Sequence, residues 1–228
     1  MAERPVSPYL APGFYDTALA KGRHRDIVGG RWEETGRVQM AALLREGLQP
    51  DDRLLDIGAG SLRLGCKAVP YLAPGNYWAT DASGALMSRG RALELADPAR
   101  LPADHLVEDA DFAFPGVPGD IDMAICFAVF THLPADRLPP ALARIRAAFP
   151  RLRKLLVTLF LAPDDHPPGT PCRQPDGVVT HDVRPPYHRR LSDVLPAIRA
   201  AGFDVRTAPD LLPRGQILFV ATPVPTPF

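Results

Sequence analysis

The sequence predicts a single α/β domain built on a mostly parallel sheet, with helices packed on both faces. Three observations carry that expectation. Short apolar runs alternate with helical stretches from residue 53 onward, two of those runs are apolar almost throughout, and residues suited to ligand binding stand just after strand ends. The runs at 123–127 (Met-Ala-Ile-Cys-Phe) and 155–160 (Leu-Leu-Val-Thr-Leu-Phe) lack the alternation of a half-exposed strand, as a sheet covered on both sides requires.

The elements follow in order. Residues 1–27 are rich in Pro and Gly and read as an arm. The arm or flap is bounded at 1–30, and the main domain runs over 31–228. A helix is expected over 31–46, where Val38, Met40, Ala41, Leu43 and Leu44 mark its apolar face and Gly47 closes it. Strands are expected at 53–57, 77–80, 105–107, 121–127 and 154–161. Helices over 62–72, 84–95 and 136–148 follow the first, second and fourth of them. The Pro-, Asp- and His-rich stretch at about 162–190 has little periodicity and reads as a lid-like insertion. A helix over 191–201, ended by Gly202, precedes two closing strands at 203–207 and 216–221. That makes seven strands.

Composition narrows the functional classes. The 228 residues are 46% apolar and 23% charged, as expected for a soluble globular protein. The 26 basic residues are balanced by 26 acidic ones. Nucleic-acid binding normally needs a basic surplus to neutralise phosphates, so none is expected here. Cys66, Cys126 and Cys172 are an odd, widely spaced set that predicts neither a disulfide framework nor a zinc site. The N-terminal residues contain no apolar h-region, and no apolar run reaches the ~18 residues of a membrane span. A cytoplasmic location without membrane partners is therefore expected.

In a sheet of this kind, ligands bind beyond the carboxyl ends of the strands. After the first strand the chain reads Asp56-Ile57-Gly58-Ala59-Gly60-Ser61. The two glycines permit a tight turn and close backbone approach, either for a ligand or simply to enter the next helix. Asp81 ends the second strand. Its carboxylate can accept both hydroxyls of a ribose or can cap the following helix. Glu108, Asp109 and Asp111 follow the third strand, where a carboxylate can meet an adenine amino group and Phe112 or Phe114 can supply apolar cover. A solvated acidic turn is the other reading.

Together these motifs resemble the class I S-adenosylmethionine-dependent methyltransferases, a Rossmann-like family. The acid-x-Gly-x-Gly motif matches Asp56 to Gly60, the acid after the second strand matches Asp81, and the Asp-Ala after the third matches Asp109-Ala110. The fourth-strand motif matches 120–127 and the loop that follows. The resemblance runs from about residue 53 to the end and implies an antiparallel last strand. It also implies S-adenosylmethionine as cofactor. Gly58 and Gly60 would border its methionine part, Asp81 the ribose, Asp109 and Ala110 the adenine, and Phe127 the methionine and sulfonium region, with Asp56, Ala59, Ser61 and Ala82 also among the cofactor-binding residues. A third glycine common in the family is absent: Leu62 stands there, with Arg63 next, free to pair with the cofactor carboxylate or with a surface acid. A nicotinamide fingerprint would need glycine at the place of Arg63.

His132, in the loop after the fourth strand, is the candidate general base, since imidazole titrates near neutrality; packing over that loop is its structural alternative. His166, His181 and His188 in the insertion are candidates to face substrate, and His24 and Trp32 to form part of a flap. Pro185-Pro186-Tyr187 is read as loop proline. The expected activity is methyl transfer to the oxygen or nitrogen of a small molecule. The alternatives are a peptide or protein methyltransferase, or a catalytically silent cofactor-binding subunit.

Overall fold

The computed structural model describes residues 7, 9, 11, 13–208 and 212–225. Strands β1 (Leu54–Ile57), β2 (Tyr77–Asp81), β3 (Leu106–Glu108), β4 (Met123–Cys126) and β5 (Lys154–Ala162) pair in parallel. Helices α2 (Trp32–Arg45), α3 (Gly65–Tyr71), α4 (Gly84–Glu94) and α5 (Leu138–Ala148) lie around them. With β9 (Phe203–Thr207) and β10 (Ile217–Pro223), the sheet runs in the order β3-β2-β1-β4-β5-β10-β9, and β10 is antiparallel to both neighbours. The chain leaves β1 toward β2 on one side and later returns to β4 on the other, so the crevice above β1 and β4 is the topological switch point.

The apolar runs are explained by what lies on each face. Leu54, Met123, Ile125 and Leu156 enter one core with Leu43, Tyr77 and Met87. Their neighbours Leu55, Ala124, Cys126 and Leu155 enter the other, with Ile145, Phe149, Ile198 and Phe203. Side chains alternate across a strand, so two buried faces demand apolar residues at every position. Fully burying one such side chain contributes ~1.5–3 kcal/mol.

Three stretches differ from expectation. The arm contains α1 (Phe14–Ala20), seven residues bounded by Gly13 and Gly22 and too short to show a period. Helix α3 begins at Gly65, not residue 62, because Leu62 takes the left-handed conformation (φ 63°) and extends the turn after β1. The insertion contains a hairpin, β6 (Cys172–Arg173) with β7 (Val179–Thr180), and then β8 (His188–Arg190), which leads into α6 (Leu191–Ala200). Strand β8 pairs in parallel with the end of β5, Phe160 opposite His188, and adds an eighth strand to the seven of the main path. A two- or three-residue strand carries no alternation a sequence could display.

Glu46, buried at the end of α2, accepts hydrogen bonds from Lys154 of β5 (2.8 Å) and Arg206 of β9 (2.6 Å). It ties the second helix to two strands more than 100 residues away in sequence.

Candidate active site

The turn after β1 is held by its own backbone. The amides of Gly58 and Ala59 donate to the carbonyl of Thr80 at 2.7 and 3.0 Å, and the amide of Gly60 donates to Asp81 Oδ2 at 2.9 Å. Gly58 (φ 74°) and Gly60 (φ 57°) sit where L side chains are strained, and a Cβ would come within 2.3 Å of Val129 Cγ2 or 2.5 Å of Val28 Cγ1. Both glycines are required by geometry.

Asp81 lies at the carboxyl end of β2 and is 9% exposed. Its Oδ1 accepts the Ser83 amide at 3.0 Å, while the Ser83 hydroxyl accepts the amide of Leu86 and caps α4. The helix therefore has its own cap, which leaves Asp81 facing the crevice. Burial pushes the Asp81 carboxyl up to about 6, opposed by the Gly60 and Ser83 amides. Tyr9 and Tyr15 stand close enough for burial and the Asp81 charge to raise both phenols.

Asp109 donates its amide to the Asp81 carbonyl (2.8 Å), and its two carboxylate oxygens accept the amides of Asp111 and Phe114 at 2.9 Å. These bonds shape the loop after β3. Phe112 lines the cleft and stacks on Phe130, while Phe114 turns into the core against Phe149. Beyond β4, Ala128 takes a left-handed conformation (φ 61°) and donates its amide to Thr158 Oγ1 at 2.7 Å; Thr158 donates in turn to Gln216 Oε1 at 2.6 Å.

These segments enclose a cleft of about 1000 Å³, counting its open mouth. Gly58, Ala59, Gly60, Asp81, Ala82, Asp109, Ala110, Phe127 and His132 all line it. Asp56 and Ser61 do not. Asp56 is fully buried, accepts the Tyr77 hydroxyl at 2.6 Å, and is pushed up to about 7 by burial. Ser61 donates to the His24 carbonyl at 2.8 Å. Both brace the turn from behind.

Arg63 also lines the cleft and is answered by carbonyls, not by a surface acid: it donates to Val28 (3.0 Å) and Gly30 (3.3 Å), with Gln39 Oε1 at 3.4 Å. Burial pushes its guanidinium down to about 10, so it stays charged at neutral pH. Tyr9, Tyr15, Val28 and Gln39 join the lining, none of them given a cofactor or catalytic role of its own by sequence. The signal for the tyrosines was aromatic density: Tyr9, Phe14 and Tyr15 fall within seven positions of an otherwise Pro- and Gly-rich stretch.

His132 departs from the near-neutral titration expected of it. Its ring packs against Tyr9 (centroids 4.6 Å apart), and burial, with the Arg214 charge, pushes it down to about 4. It is neutral at physiological pH. His166, His181 and His188 lie outside this cleft lining. His24 instead bonds Glu94 at 2.6 Å and holds the arm against α4, and Trp32 packs beside it under Arg25. Tyr187 donates its amide to the Thr131 carbonyl at 2.7 Å, bracing the loop that carries His132.

No family model matches the chain. Solved structures do. A magnesium protoporphyrin IX methyltransferase from Synechocystis PCC 6803, with bound S-adenosylmethionine, is 18% identical with a TM-score of 0.61, covering 94% of this chain and 93% of that one. The 1,6-didemethyltoxoflavin-N1-methyltransferase of Burkholderia thailandensis, bound to its acceptor and S-adenosylhomocysteine, is 20% identical with a TM-score of 0.62, covering 98% and 94%. A TehB-like methyltransferase from Corynebacterium glutamicum is 15% identical with a TM-score of 0.59, covering 93% and 100%. The architecture is a Rossmann-like α/β sheet with an antiparallel final strand. It is the fold of the class I S-adenosylmethionine-dependent methyltransferases.

Proposed function

We propose that this protein is an S-adenosylmethionine-dependent methyltransferase acting on the oxygen or nitrogen of a small molecule. The observation that carries the reading is convergence: the glycine turn, the Asp81 carboxylate and the Asp109–Phe112 loop meet in one cleft at the switch point. The lining suits the cofactor. A buried carboxylate faces the place for a vicinal diol, an aromatic ring flanks the adenine position, and a charged guanidinium stands near the glycine turn for a carboxylate.

In this reading Gly58, Ala59, Gly60 and Arg63 hold the methionine end and Asp81 with Ala82 the ribose. Asp109, Ala110 and Phe112 hold the adenine, and Phe127 borders the sulfur. Asp56 and Ser61 keep the turn in shape. The arm assigned to 1–30, of which residues 7, 9, 11 and 13–30 are described and the others lie outside the described residues, serves as a flap over the main domain at 31–228, and the insertion at about 162–190 serves as a lid. The bound cofactor supplies an electrophilic methyl group on a good leaving group. The protein aligns the acceptor behind it and excludes water, an effect worth up to ~7–11 kcal/mol in intramolecular models. For a hydroxyl acceptor, His132 accepts a hydrogen bond from the O–H and takes that proton as the oxygen–carbon bond forms, whereas a free amine needs no base. The proton becomes far more acidic during that step, so a weakly basic imidazole suffices late in the transfer. His132→Ala should lower turnover more than cofactor affinity, compared by steady-state rates and calorimetry; equal activity would remove it from the reaction.

The titration of Asp81 has a readable consequence. The ionised carboxylate accepts hydroxyl donors, and protonation removes part of that capacity. Cofactor affinity should therefore be level above pH ~6 and fall by up to about tenfold per unit below it. The ligand-free fold responds in the opposite sense: carboxyls raised by burial favour the protonated state, so stability declines as pH rises through about 6 for Asp81 and about 7 for Asp56. Calorimetry across pH, with Asp81→Asn as the flat control, checks the affinity.

The reading itself is tested by calorimetry with S-adenosylmethionine, followed by S-adenosylhomocysteine release from a panel of phenolic, amine and carboxylate acceptors. Binding with turnover supports it. Absence of binding overturns it.

A further inference from the structure

Strands β4 and β5 run side by side only as far as Cys126 opposite Val157. One position further along β5 stands Thr158, fully buried, with Leu218 of β10 opposite it on the other edge. Beyond Cys126 the chain turns into the loop that brings Phe127, Ala128, Val129 and His132 to the cleft. The Ala128 amide is met there by a side chain: it donates to Thr158 Oγ1 at 2.7 Å. Its carbonyl is held as well, accepting the Thr131 hydroxyl at 2.7 Å.

Ala128 needs this support. Its left-handed conformation (φ 61°) is unfavourable for a residue with a Cβ, and such geometry persists only where the surroundings over-determine it. Thr158 is itself aimed by a third group. Its single hydroxyl proton goes to Gln216 Oε1 at 2.6 Å, which leaves an oxygen lone pair for the Ala128 amide. Gln216 is 3% exposed and stands directly before β10.

This chain of bonds seats the loop. Val129 packs on the glycine turn so closely that a Cβ on Gly58 would fall 2.3 Å from its Cγ2. The His132 amide donates to the Val129 carbonyl at 2.9 Å, so the two residues move together. Phe127 joins Ala128 directly and lines the cleft. Releasing the Ala128 amide would let all three shift against the glycine turn, and a misplacement of ~1 Å can cost a transfer reaction about a hundredfold.

We propose that Thr158 and Gln216 are positioning residues for methyl transfer, fixing His132 and Phe127 against the glycine turn through the Ala128 amide. Neither of the two lines the cleft. The proposal rests on the reading of that cleft as a methyltransferase site.

The experiment uses the full chain. Thr158→Val keeps the side chain's shape and removes its hydroxyl. With folding checked by circular dichroism, it should lower kcat about ten- to a hundredfold in the S-adenosylhomocysteine-release assay. S-adenosylmethionine affinity, measured by calorimetry, should change far less. Thr158→Ser retains the hydroxyl and should recover most of the rate. Gln216→Leu should act in the same sense as Thr158→Val, and the double variant should fall short of the product of the two effects. The NMR signal of the His132 ring, which feels the Tyr9 ring 4.6 Å away, reports the loop's seat without any turnover. It should move in Thr158→Val and stay in Thr158→Ser. Parent-like kcat in Thr158→Val overturns the proposal, as does a loss of rate that Thr158→Ser shares in full. If the parent binds no S-adenosylmethionine, it is the reading of the cleft that fails; the anchoring of the loop is then decided by the His132 signal, and an unmoved signal in Thr158→Val overturns it. Should Thr158→Val not fold, Gln216→Leu decides by the same readouts.

Discussion

Asp81→Ala should weaken S-adenosylmethionine binding by about a hundredfold or more while the protein stays folded. In the proposed complex the carboxylate accepts both ribose hydroxyls, and each hydrogen bond to a charged group is worth ~1.5–3 kcal/mol. The same side chain receives the Gly60 amide at 2.9 Å and the Ser83 amide at 3.0 Å, so its loss also loosens the turn that borders the cofactor. The fold should tolerate the change, because burial already raises this carboxyl and a buried charge is no asset to the ligand-free protein. Calorimetry and urea denaturation separate the two effects. Unchanged affinity would remove Asp81 from the site and with it the central support for the proposed activity.

Gly90→Ala carries the second large effect, and by a different route. Gly90 lies within α4, where alanine would ordinarily be the better residue by ~1 kcal/mol. Here a Cβ would stand 2.2 Å from the Ser61 carbonyl oxygen and 2.5 Å from its carbon. Those are backbone atoms, so no side chain can rotate away. The helix must retreat from the glycine turn, and overpacking of this kind costs ~1–3 kcal/mol or more. Stability to urea should fall despite the gain in helix propensity, and cofactor affinity should fall with it because Gly60 moves together with Ser61. A variant as stable as the parent would show that the helix does not approach the turn so closely.

Gly90 also marks a limit of sequence reading. Gly58 and Gly60 were legible because they follow a strand and precede a helical stretch, a local arrangement with a local cause. Gly90 answers to a carbonyl 29 positions earlier, and nothing beside it in the chain signals that contact. Tyr9 and Tyr15 are similar: the arm that carries them reads as Pro- and Gly-rich irregular chain, and only its placement over the crevice makes them part of the cleft. Asp56 shows the opposite failure. It belongs to the glycine motif by spacing, yet it bonds Tyr77 and lies outside the lining. A motif records that a residue type is needed; whether the need is contact with a ligand or support for a turn depends on where the strand aims the side chain. His132 was placed by its loop, but its titration was set by burial and by Arg214, 82 positions further on.

What the sequence by itself determined is the alternation of strands and helices, the two-sided burial of the sheet, and the strand ends at which binding residues gather. These follow from periodicity and from glycine's conformational freedom, which act over a few neighbouring residues. Only the tertiary structure decided which side chains enter the cleft and which ones brace it. Those outcomes turn on desolvation and on contacts between segments far apart in the chain, and such quantities exist only once the chain has closed on itself.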